Sequence, residues 1–580
     1  MQAIFKFTRI LAIAGLALVA SLALAQPAAA DLAQRIKFMV AADGPPRTID
    51  AEQLDIAALK RFYEPRDFAP AWIAGDVVLD RDALLAAVEQ ADMHGLDPAD
   101  YHLAALRARS GSKDEMLQAE YEVLLSDTFL RYATHMRMGR VRLSSVEADW
   151  SVQPTPFDAV AALAKVAGKD DFRALLAALP PSRPDYARLV QTLKLWRDGV
   201  AADPWPSVMP GAAIKKGATD DRLLAVRQRL IADGDLTADQ AEGNVLDEKL
   251  TAALKKFQMR YGLDPDGLVG GRTMLVMNTS RATRVQQLLA TLERLRSLPR
   301  DLPSTAIFVN VAANEAEMLE DGQPVFTARV IVGTADHPTP VVAARFSSLQ
   351  LNPPWTIPNS IATKEILPHL QRDPSYLAKQ NMVILNRDDD PQGLALDWTR
   401  YTKNYFPFVL RQLAGPATAL GLVVFEMPNK FDVYLHDTPD RRLFALGDRF
   451  FSHGCVRVEN PRVLASYLLR NNPQWTAQAL DDAIATGETQ RIMLAKSVPI
   501  FLFYQTVYVG RDDQVHFRDD TYGRDWRLNV AVAKLREGVL PADQMMFAPP
   551  PPSADAGKPS TEGAKPGAAV GKTGVSVGAR

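Results

Sequence analysis

A chain of 580 residues with a single cysteine cannot hold an internal disulfide. That cysteine is Cys455, in the stretch FSHGCVRVEN (residues 451–460). An excess of charge of one sign is also missing. Lys and Arg number 66, Asp and Glu 68, for a formal net charge of −2. This balance argues against a nucleic-acid partner, which calls for a basic surplus. Histidine is scarce at eight residues. Of these, His94, His102 and His135 are scattered without metal-ligand spacing and read as structural. No apolar run after the first thirty residues is long enough to cross a bilayer. The rest is ordinary globular composition, 47% hydrophobic and 23% charged, with length for two to four domains.

The one long apolar run lies at the start, MQAIFKFTRILAIAGLALVASLALAQPAAA. Lys6 and Arg9 form a basic head, the segment 10–25 is apolar, and small residues end at Ala25 and Ala30. Residues 1–30 therefore read as a secretory signal peptide, with an uncleaved anchor as the alternative. Export makes the lone thiol conspicuous. An odd cysteine in an oxidising compartment is a liability unless it pairs between chains or does chemistry.

Apolar residues at three- and four-residue spacing predict a helical domain over 31–206. Residues 211–281 form a compact unit: DDRLLAVRQRLIADGDL, LDEKLTAALKKFQMRYGL and a third helix opened by the Gly-rich DPDGLVGGRT. After the helical RVQQLLATLERLRSLP the period changes to that of strands, with EDGQ as a hairpin turn. A largely helical stretch at about 368–413 interrupts the strands and is expected to sit over the site as a cap. Residues 547–580 are rich in Pro, Gly, Ala and Lys and carry nothing to build a core, so they read as a disordered tail.

A thiol becomes a nucleophile when a histidine within reach takes its proton, usually with a lowered thiol pKa. His453 is two residues from Cys455. On a strand it would point parallel to the thiol, so it is assigned to the oxyanion side or a supporting role. His436, in VYLHDTP on a neighbouring strand, is the better base. Its place before the cysteine argues against the papain-like order. Gly454 lets backbone approach a substrate carbonyl. Arg457, two residues past Cys455, can share its face and clamp a carboxylate, or else form a surface ion pair. A metal held by Cys455, His453 and His436 would need a fourth ligand that no other Cys or clustered His supplies. The chemistry calls for no cofactor.

HDTP followed by SHGCVR resembles the signature of the L,D-transpeptidase catalytic domain, the YkuD-type fold. RVIVGTADHPTPV, LNPPWTIPNSIATKEILP, SVPIFLFYQTVYVG, FYEPRDFAPAWI and HGLDPADYHL extend the resemblance to the large periplasmic subgroup with an N-terminal scaffold. Residues 211–281 resemble the three-helix peptidoglycan-binding module, a plain helical spacer being the alternative. The resemblance implies a multidomain α+β chain: helical scaffold, peptidoglycan-binding-like module, and a mainly β catalytic domain over 300–530 with a helical cap insertion. It implies Cys455 as nucleophile and His436 as base, with Arg457, Tyr434 and Trp355 as substrate contacts. The expected partners are peptidoglycan tetrapeptide stems as donor and acceptor, together with other wall-synthesis enzymes. The expected reaction is 3→3 cross-linking through a thioester with release of D-Ala, in the periplasm, inhibited by carbapenems. The same site would serve an L,D-carboxypeptidase, or attach wall peptides to an outer-membrane protein. A silent wall-binding scaffold is the non-catalytic alternative.

Overall fold

The structure is a computed structural model that describes residues 31–538, except 42–47, 51, 75–77, 168–170 and 203–205, together with residue 546. The expected signal peptide and the Pro-rich tail lie outside the described residues. No helix among the described residues is long and apolar enough to cross a membrane.

The N-terminal part is a helical domain. Its helices include Ile56–Tyr63, Arg81–Glu89, Glu115–Met138, Ala159–Val166 and Phe172–Ala177. Each opens on an aspartate, Asp55, Asp80, Asp114, Asp158 and Asp171, whose carboxylate accepts backbone N–H groups of the first turn. These caps satisfy donors that would otherwise be orphaned. The long helix Glu115–Met138 is buried on nearly every side. Inside it, Glu122 accepts from the N–H groups of Ala71, Trp72 and Ile73 and from the Tyr63 hydroxyl (3.1 Å), which fixes the loop around Trp72.

This core ends at Leu179. The next helix, Pro184–Ala202, packs on Arg281–Arg296 and belongs to the second core through Tyr186, Leu189, Val190 and Leu193. The stretch expected as one scaffold, 31–206, therefore divides between two cores. The seam is ionic. Glu293 of Arg281–Arg296 accepts from Arg140 Nε (3.0 Å) and Arg296 (2.6 Å), all three side chains buried. The two guanidiniums outweigh burial and hold the Glu293 carboxyl down at about 2.

The helices Arg222–Ala232, Glu248–Arg260 and Gly271–Met277 form the module expected at 211–281. It is not a free appendage. Its Leu230, Leu254 and Phe257 join the same core as the β domain, and Tyr261 stacks on Phe517 with ring centroids 5.5 Å apart.

The β domain uses nine strands: β1 (Ala306–Asn310), β2 (Glu315–Glu320), β3 (Gln323–Gly333), β4 (Val342–Leu351), β5 (Val423–Glu426), β6 (Leu435–His436), β7 (Phe450–Ser452), β8 (Val456–Val458) and β9 (Gln490–Phe503). Their order is β7-β3-β8-β6-β5-β4-β9-β1-β2, and β2 pairs again with β3, so the sheet closes on itself. Closure removes edges and encloses a core of inward side chains such as Val330, Phe346, Phe425 and Leu502. The β2–β3 hairpin turns on Asp321 and Gly322, both with positive φ (49° and 79°), the geometry a two-residue hairpin requires.

Between β4 and β5 the chain forms a separate layer that touches the β7–β8 turn through Glu365 and His453. It has its own core, centred on Ile366, Leu370, Leu377, Trp398 and Leu410. It differs from the expected helical cap at 368–413. Three strands, Trp355–Thr356, Leu410–Gln412 and Met382–Ile384, form a small sheet within it, and the layer begins at Trp355. The reason is register: Trp355 and Thr356 pair with Gln412 and Arg411, closing the layer by strands rather than by helix packing. The run Pro353-Pro354 hid this short strand, since proline is a turn signal.

Candidate active site

Two short parallel strands carry the candidate residues. Leu435 of β6 pairs with Val456 of β8, and His436 pairs with Arg457. Side chains alternate along a strand, so Tyr434, His436, Cys455 and Arg457 share one face while Leu435 and Val456 enter the core. Tyr434 is level with Cys455, and His436 stands one step along, level with Arg457. The rings of Tyr434 and His436 meet edge to face, 5.8 Å between centroids.

His436 is buried, and its Nδ1–H donates to the Asp437 carbonyl at 2.6 Å. That bond fixes the tautomer and leaves Nε2 as a lone-pair acceptor. Burial and the nearby Arg457 cation push its pKa down to about 3, so the imidazole is neutral at pH 7. Asp437 is held in turn: its carboxylate accepts from the Leu422 N–H (3.0 Å) and from Arg441 (3.3 Å).

Burial pushes the Cys455 thiol up from its ordinary value, opposite to the lowered pKa expected. Hydrogen bonds from the Tyr434 backbone and phenol, and the Arg457 charge, favour the thiolate without overcoming desolvation. Thiol and imidazole are thus both neutral before substrate arrives. No thiolate–imidazolium pair is preformed between them.

Arg457 is more than a surface side chain. Burial lowers its pKa, opposed by Asp440 and Cys455. Its Nε has no hydrogen-bond partner among the described residues. A half-buried guanidinium whose Nε finds no acceptor leaves that donor free for a ligand. Trp355 comes from the layer between β4 and β5 to lie beside the Tyr434 phenol, whose pKa burial raises and the indole N–H lowers, so two candidate substrate contacts are neighbours.

His453 and Gly454 lie in a turn between β7 and β8, not on a strand, so the parallel-pointing argument does not apply to them. His453 Nε2 instead meets Glu365 Oε1 at 2.6 Å, linking the turn to the layer between β4 and β5. Its ring lies 5.1 Å from that of His337. Gly454 adopts φ +114°, a conformation side chains resist. Its N–H donates to Ser452 Oγ (3.1 Å) and its carbonyl accepts from Thr339 Oγ1 (2.8 Å). Ser452 Oγ donates onward to the Cys455 carbonyl at 2.5 Å. Ser452 and Thr339 were missed as site residues. Thr339 lies in GTADHPTPV, about 115 positions from Cys455, and only its register in the fold brings it close.

The three histidines of the helical domain are engaged away from this face. His102 Nε2 meets Asp127 (2.6 Å), His135 Nδ1 meets Tyr101 OH (3.0 Å), and His94 Nδ1 meets Tyr186 OH (3.2 Å).

Family models match three stretches of the chain. They are a "Scaffold domain" over residues 57–193, a "Putative peptidoglycan binding domain" over 219–277, and an "L,D-transpeptidase catalytic domain" of the YkuD type over 304–481. Over residues 304–481 the chain is thus similar to the L,D-transpeptidase catalytic domain. A curated relative from Haemophilus influenzae, "Putative L,D-transpeptidase", is 35% identical over 259 residues, 44% of this chain. The match spans 52% of that relative's length. Two solved L,D-transpeptidase structures are similar over 51% of this chain. One, from Xylanimonas cellulosilytica, is 14% identical over 99% of its own chain, with a TM-score of 0.17. The other, from Stackebrandtia nassauensis, is 14% identical over 96% of its own chain, with a TM-score of 0.19. At those scores the superpositions carry no argument about the site.

Proposed function

We propose that this protein is a cysteine-dependent L,D-transpeptidase that forms 3→3 cross-links between meso-diaminopimelate residues of peptidoglycan. The observation that carries the reading is the shared face of β6 and β8, which bears a thiol, an oriented neutral imidazole and a half-buried guanidinium with an unpartnered Nε.

Cys455 Sγ attacks the carbonyl that joins diaminopimelate to the terminal D-Ala of a donor tetrapeptide. The thiol proton passes to His436 Nε2, and the carbonyl becomes a tetrahedral oxyanion. Collapse breaks the C–N bond, and the proton on His436 leaves with the D-Ala amine. A thioester remains on Cys455. The side-chain amine of diaminopimelate on a second stem attacks it, gives its proton to His436, and releases the cross-linked product with the thiol restored. Arg457 holds a stem carboxylate, and Tyr434 and Trp355 line the donor's approach. With the segment 1–30 as an export signal, this takes place in the periplasm. Carbapenems would acylate the same sulfur.

The test is mass spectrometry of disaccharide-tetrapeptide incubated with the mature protein and with Cys455→Ala. A dimer lacking one D-Ala, absent with the variant, supports cross-linking. Tripeptide and free D-Ala without dimer would make the protein an L,D-carboxypeptidase. No turnover by a folded protein would contradict the reading.

A further inference from the structure

The turn that carries Cys455 is held from outside its own strands. Thr339 Oγ1 accepts the Gly333 N–H at 2.9 Å and donates to the Gly454 carbonyl at 2.8 Å. A trans peptide points its C=O and N–H in opposite directions. Securing the Gly454 oxygen on Thr339 therefore aims the Cys455 N–H away from Thr339. The Gly454 N–H is already taken by Ser452 Oγ. The peptide between Gly454 and Cys455 is thus the one whose orientation matters for an oxyanion at the attacked carbonyl.

Thr339 is itself secured by the protein's distant parts. Its N–H donates to Tyr522 OH (3.3 Å), and Tyr522 OH donates to the Gly333 carbonyl (2.6 Å). Its carbonyl accepts from Arg524 Nη2 (3.2 Å). Arg524 is 1% exposed and bridges to Glu147 Oε2 (2.5 Å) and Asp149 Oδ2 (2.5 Å). Glu147 and Asp149 lie in the segment that follows the long helix Glu115–Met138. That segment is stitched to the same loop by Val341 N–H to Asp149 O (3.0 Å) and Ser151 N–H to Val341 O (2.9 Å).

We propose that Thr339 is a positioning residue for the nucleophile. It orients the Gly454–Cys455 peptide so that the Cys455 N–H serves as an oxyanion donor, and Arg524 with Glu147 and Asp149 ties that orientation to the N-terminal segment. The proposal rests on Cys455 being the acylated nucleophile. It makes the N-terminal segment part of the catalytic machinery rather than a spacer: acylation depends on contacts made more than 300 residues before the thiol (147 to 455).

An oxyanion donor serves attack on a carbonyl and not simple alkylation of the sulfur, which separates positioning from collapse of the site. The experiment compares Thr339→Val, Thr339→Ser and Arg524→Lys with wild type in the full mature chain. Cys455 acylation by tetrapeptide is followed by intact mass in single turnover. Iodoacetamide alkylation and thermal melting are followed in parallel. Thr339→Val is expected to slow acylation about tenfold to hundredfold while alkylation stays within about twofold. Thr339→Ser, which keeps the hydroxyl, is expected to restore most of the rate, and Arg524→Lys to fall between. Wild-type acylation by Thr339→Val would overturn the proposal. So would equal losses of acylation, alkylation and melting temperature. If wild type alkylates normally but never acylates, it is the nucleophile assignment that fails.

Discussion

Replacing His436 with Asn isolates the cost of keeping a histidine neutral inside the site. Asn keeps an N–H donor for the Asp437 carbonyl but cannot take a proton. In the folded wild type the His436 pKa is pushed from 6.5 down to about 3. The unfolded chain therefore binds a proton as pH drops through 6.5 while the folded site refuses it. The stability His436 contributes is complete above about pH 6.5 and is lost as pH falls toward 3. Crossing the whole window amounts to about 5 kcal/mol, of which about 2 kcal/mol falls between pH 7 and pH 5. His94, pushed down to about 4 by burial, titrates in the same direction, but does so in both proteins and cancels in their difference. The assay is urea unfolding of wild type and His436→Asn at pH 7 and pH 5. Wild type should lose about 2 kcal/mol more than the variant on acidification. Equal losses would mean that His436 accepts a proton in the folded state, and the neutral-base account would be wrong.

Other outcomes follow from the same geometry. Arg457→Ala should raise KM for the donor strongly and leave the melting temperature nearly unchanged, because a half-buried cation with an unpartnered Nε is removed; a fall in melting matching the fall in activity would make Arg457 structural. Because burial raises the Cys455 thiol, its alkylation rate should climb with pH and inflect above 9.0, with no thiolate plateau at neutral pH. A plateau near pH 6 would point to a preformed ion pair. Gly333→Ala would place a Cβ 2.0 Å from the His337 carbonyl oxygen, so it should destabilise the β domain by about 1–3 kcal/mol and slow acylation. Unchanged melting would show that the loop relaxes freely.

The parts of this molecule written locally were legible in the sequence. The helices at three- and four-residue spacing, the Asp321-Gly322 hairpin and the change to strand period after residue 300 all follow from short-range period and turn chemistry. The candidate site was legible in residue types, since His436, Cys455 and Arg457 sit in two compact motifs. What escaped depends on contacts distant in sequence. The helix Pro184–Ala202 looks like any scaffold helix until Arg281–Arg296 covers it. The strand Trp355–Thr356 exists only because residues 411–412 pair with it. Thr339 meets the turn of Cys455 through Gly454, and Glu365 meets it through His453, contacts that only the fold creates. The thiol pKa was misjudged because a neighbouring histidine shows in a sequence and the depth of burial does not.

The most direct test of the central claim is the intact mass of the mature protein after brief exposure to tetrapeptide donor without acceptor. The account predicts an adduct equal to the donor minus D-Ala, mapped to Cys455, released by added diaminopimelate amine and absent from Cys455→Ala. Turnover with no adduct on Cys455, or an adduct that persists in Cys455→Ala, would contradict it.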